Sequence, residues 1–157
     1  LKKRIAAFAF SKHNISSKTL YRLEQIDSCY QVFPNNINYY LDRLLHEQLE
    51  NVLGLGIYTG RDSDKIRIET KCSNRYRRGF IDGDEFTEID MSPYLHPLSN
   101  SKFAQGIGTS QCNLMSWKIM SLIREGKLKS GYTFLHIPKK FGVPRAVQEI
   151  NRMLCLF

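Results

Sequence analysis

Residues 36–60, NINYYLDRLLHEQLENVLGLGIYTG, change hydrophobic period partway along. Ile37, Tyr40, Leu41, Leu44, Leu45 and Leu49 recur at helical spacing, which predicts an amphipathic helix over 36–52. The apolar run NVLGLGIYTG, 51–60, then reads as a strand whose glycines allow another backbone to approach closely at its end. Working outward, CYQVF at 29–33 reads as a strand closed by Pro34. KTLYRLEQI at 18–26 reads as a helix with Leu20, Leu23 and Ile26 on one face and Ser16 or Ser17 as its cap. RIAAFAF at 4–10 is a buried strand leading into a polar loop. Strand, helix, strand, helix, strand is the order of an α/β layer built on a mostly parallel sheet.

The second half continues the pattern. KIRIETKC at 65–72 alternates as a strand does, and RRGFIDGDEFTEIDM at 77–91 carries DGD between two short strand-like pieces, a hairpin signature. SKFAQGIG at 101–108 reads as a strand, CNLMSWKIMSLIREG at 112–126 as a helix and YTFLHIP at 132–138 as a buried strand. In that helix Met115, Trp117, Met120 and Leu122 are packing residues. The last segment, VPRAVQEINRMLCLF, has Pro144 near a helix start and Val147, Ile150, Met153 and Leu154 on one stripe. At 157 residues, 42% of them hydrophobic, the chain has the size of one domain, 1–157, able to bury a core.

The net charge of +8 is unevenly spread. Residues 61–78 hold seven Lys or Arg against three acids, whereas 80–91 hold five acids and no base, so two arms of opposite sign can pair in a charged hairpin. No helix-turn-helix, RNA-recognition or zinc-finger pattern accompanies the charge, and no nucleic-acid partner is expected. The apolar runs fall well short of the ~20 residues a membrane span needs, and no secretory signal pattern is present. No membrane association and a cytoplasmic location are the resulting expectations. Cys29, Cys72, Cys112 and Cys155 are widely spaced with no Cys-x-x-Cys, indicating free thiols and neither a metal site nor a disulfide framework.

Of the four thiols, Cys112 stands where the glycine-rich GIGTS turns into a helix. The partial positive charge of a helix start stabilises a thiolate and lowers its pKa, and the N–H groups there can hold an oxyanion. A thiol nucleophile needs a base, generally histidine, and the histidine needs an orienting group. His136 near the end of YTFLHIP is presented at the same sheet edge, and Glu69 on IRIETKC can orient it. The alternatives are an inert core thiol, a structurally satisfied histidine, and a surface ion pair of Glu69 with Arg67 or Lys71. Cys29, Cys72 and Cys155 read as structural. His46 and His96 have no evident partner, and His13 reads as a solvated loop histidine.

The segment GIGTSQCNLMSWKIMSLIREGKLKSGYTFLHIP, 106–138, resembles the catalytic half of the pyrrolidone carboxyl peptidases (pyroglutamyl peptidases), cysteine peptidases that remove an N-terminal pyroglutamate. In that family a glycine-containing turn leads to a Cys-Asn pair opening a helix, and a strand reading like GFIHVP carries the histidine. Cys112-Asn113 and TFLHIP match both, and their interval of 24 residues matches the family's. LGIYTGR at 55–61 and IETKCSN at 68–74 resemble the family's upstream segments, which aligns Glu69 with its glutamate and Asn74 with the asparagine that follows. That alignment takes a two-residue insertion between Arg61 and Glu69. Without it Arg67 falls at the glutamate position, and Asp64 is a further candidate for the third member.

The resemblance implies a three-layer α/β/α fold with a mixed, mostly parallel central sheet, a small hairpin excursion, and a Cys112-His136-Glu69 triad acting on peptide or small amide substrates. It implies no metal or organic cofactor. The family's members often self-associate, which makes a homo-oligomer an expectation to test. By the same resemblance Phe8, Phe10, Ser110, Gln111, Asn74 and Arg78 are substrate-binding candidates, with Arg77 beside the last. The chain also departs from the family. The N-terminal GFEPFGG has become AFAFSKHN, leaving Phe8 and Phe10 without the Glu-Pro. The two residues before the cysteine, apolar in the family, are Ser110 and Gln111, and the stretch between Glu69 and Cys112 is shortened. An amidase of different acyl specificity, or an inactive homologue acting as a binding protein, are the rival readings.

Overall fold

The computed structural model describes residues 2–11, 13–61 and 64–157. Its centre is a six-stranded sheet in the order β2-β1-β3-β10-β4-β9. The strands are β1 (Ile5–Phe10), β2 (Ser28–Val32), β3 (Asn51–Tyr58), β4 (Ile66–Glu69), β9 (Ser101–Ala104) and β10 (Gly131–Pro138). β2, β1, β3 and β10 run parallel, while β4 and β9, parallel to each other, oppose β10. The order places β10 beside β3 although more than seventy residues separate them, and both are covered by helices on each face. Such strands read as near-continuous apolar runs, as IAAFAF and TFLHIP do.

Alternation divides β1 between two cores. Ala6, Phe8 and Phe10 face α2 (Ile37–Glu47) and α3 (Gln111–Arg124); Ile5, Ala7 and Ala9 face α1 (Ile15–Leu20) and α4 (Val143–Cys155). This is the three-layer α/β/α arrangement expected from the sequence. The glycines of β3 make room on the α3 side, since a Cβ at Gly54 would lie 2.5 Å from the Phe134 ring and 2.6 Å from that of Phe8. Both rings therefore occupy space that any other residue at 54 would take.

Four local expectations need correction. The first helix is Ile15–Leu20 rather than 18–26, because Asn14 is the cap: its Oδ1 accepts from Ser17 N at 3.0 Å and from Ser16 Oγ at 2.6 Å. Ser16 and Ser17 are inside the helix, and Ser11 turns the chain towards it in the left-handed region, φ 66°. The second helix stops at Glu47, before the expected 52, where Gln48 takes φ 46° and sends its N–H to Leu44 O. The run 65–72 is not one strand: Thr70 breaks it, its N–H bonding Ala104 O and its carbonyl accepting from Met91 N. The remainder, β5 (Lys71–Ser73), leaves the main sheet to pair with β8 (Glu88–Asp90).

The hairpin turn, finally, is not at DGD. β6 (Arg75–Tyr76) pairs with β7 (Gly79–Phe80), so the chain reverses through Arg77 and Arg78, with Arg77 at φ 55°. The charge blocks do meet across the β5–β8 pair, where Lys71 Nζ lies 3.8 Å from Glu88. Both side chains are well exposed, so this pair contributes little to stability.

Candidate active site

β4 and β10 are antiparallel, with Phe134 opposite Glu69 and His136 opposite Arg67. His136 Nδ1 lies 2.9 Å from Glu69 Oε1, and Arg67 Nε donates to the same oxygen at 3.0 Å. The surface ion pair that the sequence allowed is thus replaced by a buried cluster, since Glu69 is 0% exposed and His136 4%. Burial by itself would raise the Glu69 carboxyl, but the hydrogen bonds of His136 and Arg67, with the Arg67 charge, outweigh it and hold the group below its ordinary range. The other oxygen, Oε2, is buried and has no hydrogen-bond partner among the described residues. Asp64, the alternative third member, is exposed ahead of β4.

Cys112 is the second residue of α3. The approach to it bends through Gly106 (φ 110°) and Gly108 (φ 90°), conformations that side chains disfavour. Asn113, fully buried, fastens this helix start: its Oδ1 accepts from Ser73 N at 2.8 Å and its Nδ2 donates to the Ser73 and Arg75 carbonyls. The Cys-Asn pair therefore joins a reactive-type residue to an anchor. Beneath the thiol lies Gly56 of β3, where a Cβ would sit 2.8 Å from Cys112 Sγ and 3.2 Å from His136 Cδ2. Thiol and imidazole are thus neighbours over one glycine, and it is side chains, not the backbone that the sequence suggested, that approach the end of β3 here.

The expected lowering of the Cys112 pKa does not hold. Burial pushes the thiol up to about 12, and the Glu69 charge adds to that, against the opposing hydrogen bonds of Ser110 and of its own backbone N–H. Desolvation disfavours the thiolate more than the start of α3 favours it. Cys72 is likewise pushed up to about 12 by burial and is structural.

On the other side of the thiol a cavity of about 240 Å³ is lined by Phe10, Asn14, Ser16, Gly56, Ile57, Ser110, Gln111 and Cys112. Of the substrate-binding candidates, Phe10, Ser110 and Gln111 reach it. Phe8 does not: it is wholly buried under Phe10, ring centroids 5.7 Å apart. Asn74 does not either, because its amide braces the 82–87 loop through Asp82 O, Glu85 O and Thr87 N. Arg78 is exposed in the β6–β7 turn, beside Arg77. Asn14, Ser16 and Ile57 were missed; a capping asparagine before Ser-Ser was the available signal for the first. Among the described residues no three His, Cys, Asp or Glu side chains converge as metal ligands would, and no helix is long and apolar enough to cross a membrane.

The molecule is thus a three-layer α/β/α protein with a thiol, an imidazole and a buried carboxylate gathered at the ends of three adjoining elements. That fold is the pyroglutamyl peptidase fold. Pyroglutamyl peptidase I from Bacillus amyloliquefaciens superposes with TM-score 0.72 over 99% of this chain and 94% of its own, at 16% identity. Pyrrolidone carboxyl peptidase from Thermus thermophilus matches with TM-score 0.60, 19% identity, and coverage of 97% and 98%. The enzyme of that name from Pyrococcus furiosus gives TM-score 0.66, 13% identity, and coverage of 98% and 96%. No family model matches the sequence, and no curated protein does.

Proposed function

We propose that the chain is a cysteine peptidase that releases an N-terminal pyroglutamate, with Cys112 as nucleophile, His136 as general base and acid, and Glu69 as the group that orients His136. The observation that carries this reading is the buried 2.9 Å contact of His136 with Glu69 beside a thiol over the same glycine. The likeness of fold and the Cys-Asn and Leu-His-Ile-Pro matches support it. Cys112 is a neutral thiol at rest, so Sγ gives its proton to His136 Nε2 as the S–C bond to the acyl carbonyl forms. The oxyanion is held by backbone N–H groups of the first turn of α3, which have no carbonyl partner within the helix. Collapse breaks the C–N bond, the amine leaves with the proton from His136, and water then hydrolyses the thioester with His136 again as base.

The acyl group sits in the cavity between Phe10 and the start of α3 in this reading. Its lining by Asn14, Ser16, Ser110 and Gln111 favours a second reading, an amidase for an acyl group more polar than pyroglutamate. The test is hydrolysis of pyroglutamyl-aminomethylcoumarin by the wild type and by Cys112→Ala, alongside a panel of other N-terminal aminoacyl amides. Turnover lost in the variant supports the nucleophile and the substrate class. Turnover of only a different acyl amide moves the assignment to the second reading, and none at all by folded protein refutes both.

A further inference from the structure

Arg67 lies on β4 opposite His136 and is held on three sides. Its Nε donates to Glu69 Oε1, its Nη2 donates to Gln105 O at 2.9 Å, and its guanidinium stacks over the Tyr58 ring, 4.3 Å from the centroid. A Cβ at Gly106 would only touch Nη2 in ordinary contact, at 3.7 Å. The planar fork is locked and permanently charged, and at 12% exposure it is only lightly screened. One carboxylate oxygen therefore serves two nitrogens, the guanidinium's and the imidazole's, while Oε2 serves none.

We infer that Arg67 is a positioning residue that keeps the Cys112–His136 pair as neutral thiol and imidazole until substrate arrives. The inference rests on the reading of Cys112 as nucleophile. An imidazolium at His136 would have to share Oε1 with a fixed cation, and charges this close repel strongly when partly buried. The charged or titratable groups that the described residues place around the pair fit this account. β4 offers Glu69 and Arg67, β3 the Tyr58 ring 6.0 Å from the imidazole, α3 the thiol itself, and β10 the deeper, buried Tyr132. With Arg67 in place the Arg67–Glu69 pair is neutral, and a resting thiolate-imidazolium pair gains little from it.

The test reads alkylation of Cys112 by iodoacetamide in the full chain, from about pH 5 to about pH 10, by mass analysis of the Cys112 peptide. Wild type and Arg67→Lys, which keeps the charge, are expected to react slowly near neutral pH and faster as the solution becomes alkaline. Arg67→Gln is expected to react about tenfold faster near neutrality, with the rate persisting on the acid side, as an ion pair does. Arg67→Met, whose stem still covers Tyr58, takes its place if Arg67→Gln does not fold. A neutral folded variant with the wild-type profile overturns the role of Arg67, as does Arg67→Lys behaving like Arg67→Gln. The nucleophile reading is tested separately by turnover of pyroglutamyl-aminomethylcoumarin: activity that Cys112→Ala leaves unchanged refutes that reading and not the alkylation profile of Arg67, so the two failures are distinct.

Discussion

Gly56→Ala is the sharpest probe of the site because the added methyl has a defined place to go. It would sit 2.8 Å from Cys112 Sγ, 2.9 Å from Phe134 Cζ and 3.2 Å from His136 Cδ2, where ordinary contact begins near 3.4 Å. The sulfur must therefore retreat by more than half an ångström, and the Phe134 and His136 rings must shift with it. Overpacking of this kind costs about 1–3 kcal/mol, or a fall of roughly 3–10 °C in Tm for a chain of this size. Misplacing a reacting group by about 1 Å lowers kcat/KM by about 100-fold. Gly54→Ala is the control, since its nearest atoms are ring carbons of Phe134 and Phe8 at 2.5 and 2.6 Å. It is expected to lose comparable stability with a much smaller loss of rate. The assays are thermal melting, turnover of pyroglutamyl-aminomethylcoumarin, and iodoacetamide labelling of Cys112. Gly56→Ala that melts, turns over and labels like the wild type would refute the meeting of thiol and imidazole over this glycine.

Two further outcomes follow from the same geometry. Asn113→Ala removes an acceptor for Ser73 N and donors for two carbonyls, so it should lower stability by about 2 kcal/mol in urea unfolding and loosen the start of α3, reducing turnover as well. A wild-type midpoint would show that the anchor is dispensable. Glu69 has a carboxyl held below its ordinary range, so its contribution to stability is present above the unfolded value of about 4.3 and is lost as pH falls through the lower, folded value. Acid unfolding followed below about pH 4 should be flatter in Glu69→Gln, which should also be less stable near neutrality because Arg67 is left without its carboxylate. Parallel acid curves for the two proteins would show that Glu69 carries no such linkage.

Much of the fold is local information. The apolar runs of β1 and β10, the long amphipathic patterns of α2, α3 and α4, and the Pro144 start of α4 all express burial and period, and both are written residue by residue. The glycines of β3 already signalled a close approach, and the Cys-Asn and Leu-His-Ile-Pro segments already paired Cys112 with His136. The third member was different. Glu69 on an alternating strand between Arg67 and Lys71 looks the same whether the strand is exposed or buried, and only the antiparallel register of β4 on β10 puts it 2.9 Å from the histidine. The break at Thr70 and the turn at Arg77 also escaped, because each is decided by a partner strand far along the chain. So did the state of the thiol. A helix start lowers a cysteine's pKa in isolation, whereas the packing that desolvates the half-buried Cys112 beside Glu69 raises it, and desolvation is a property of the assembled layers that no spacing of residues encodes.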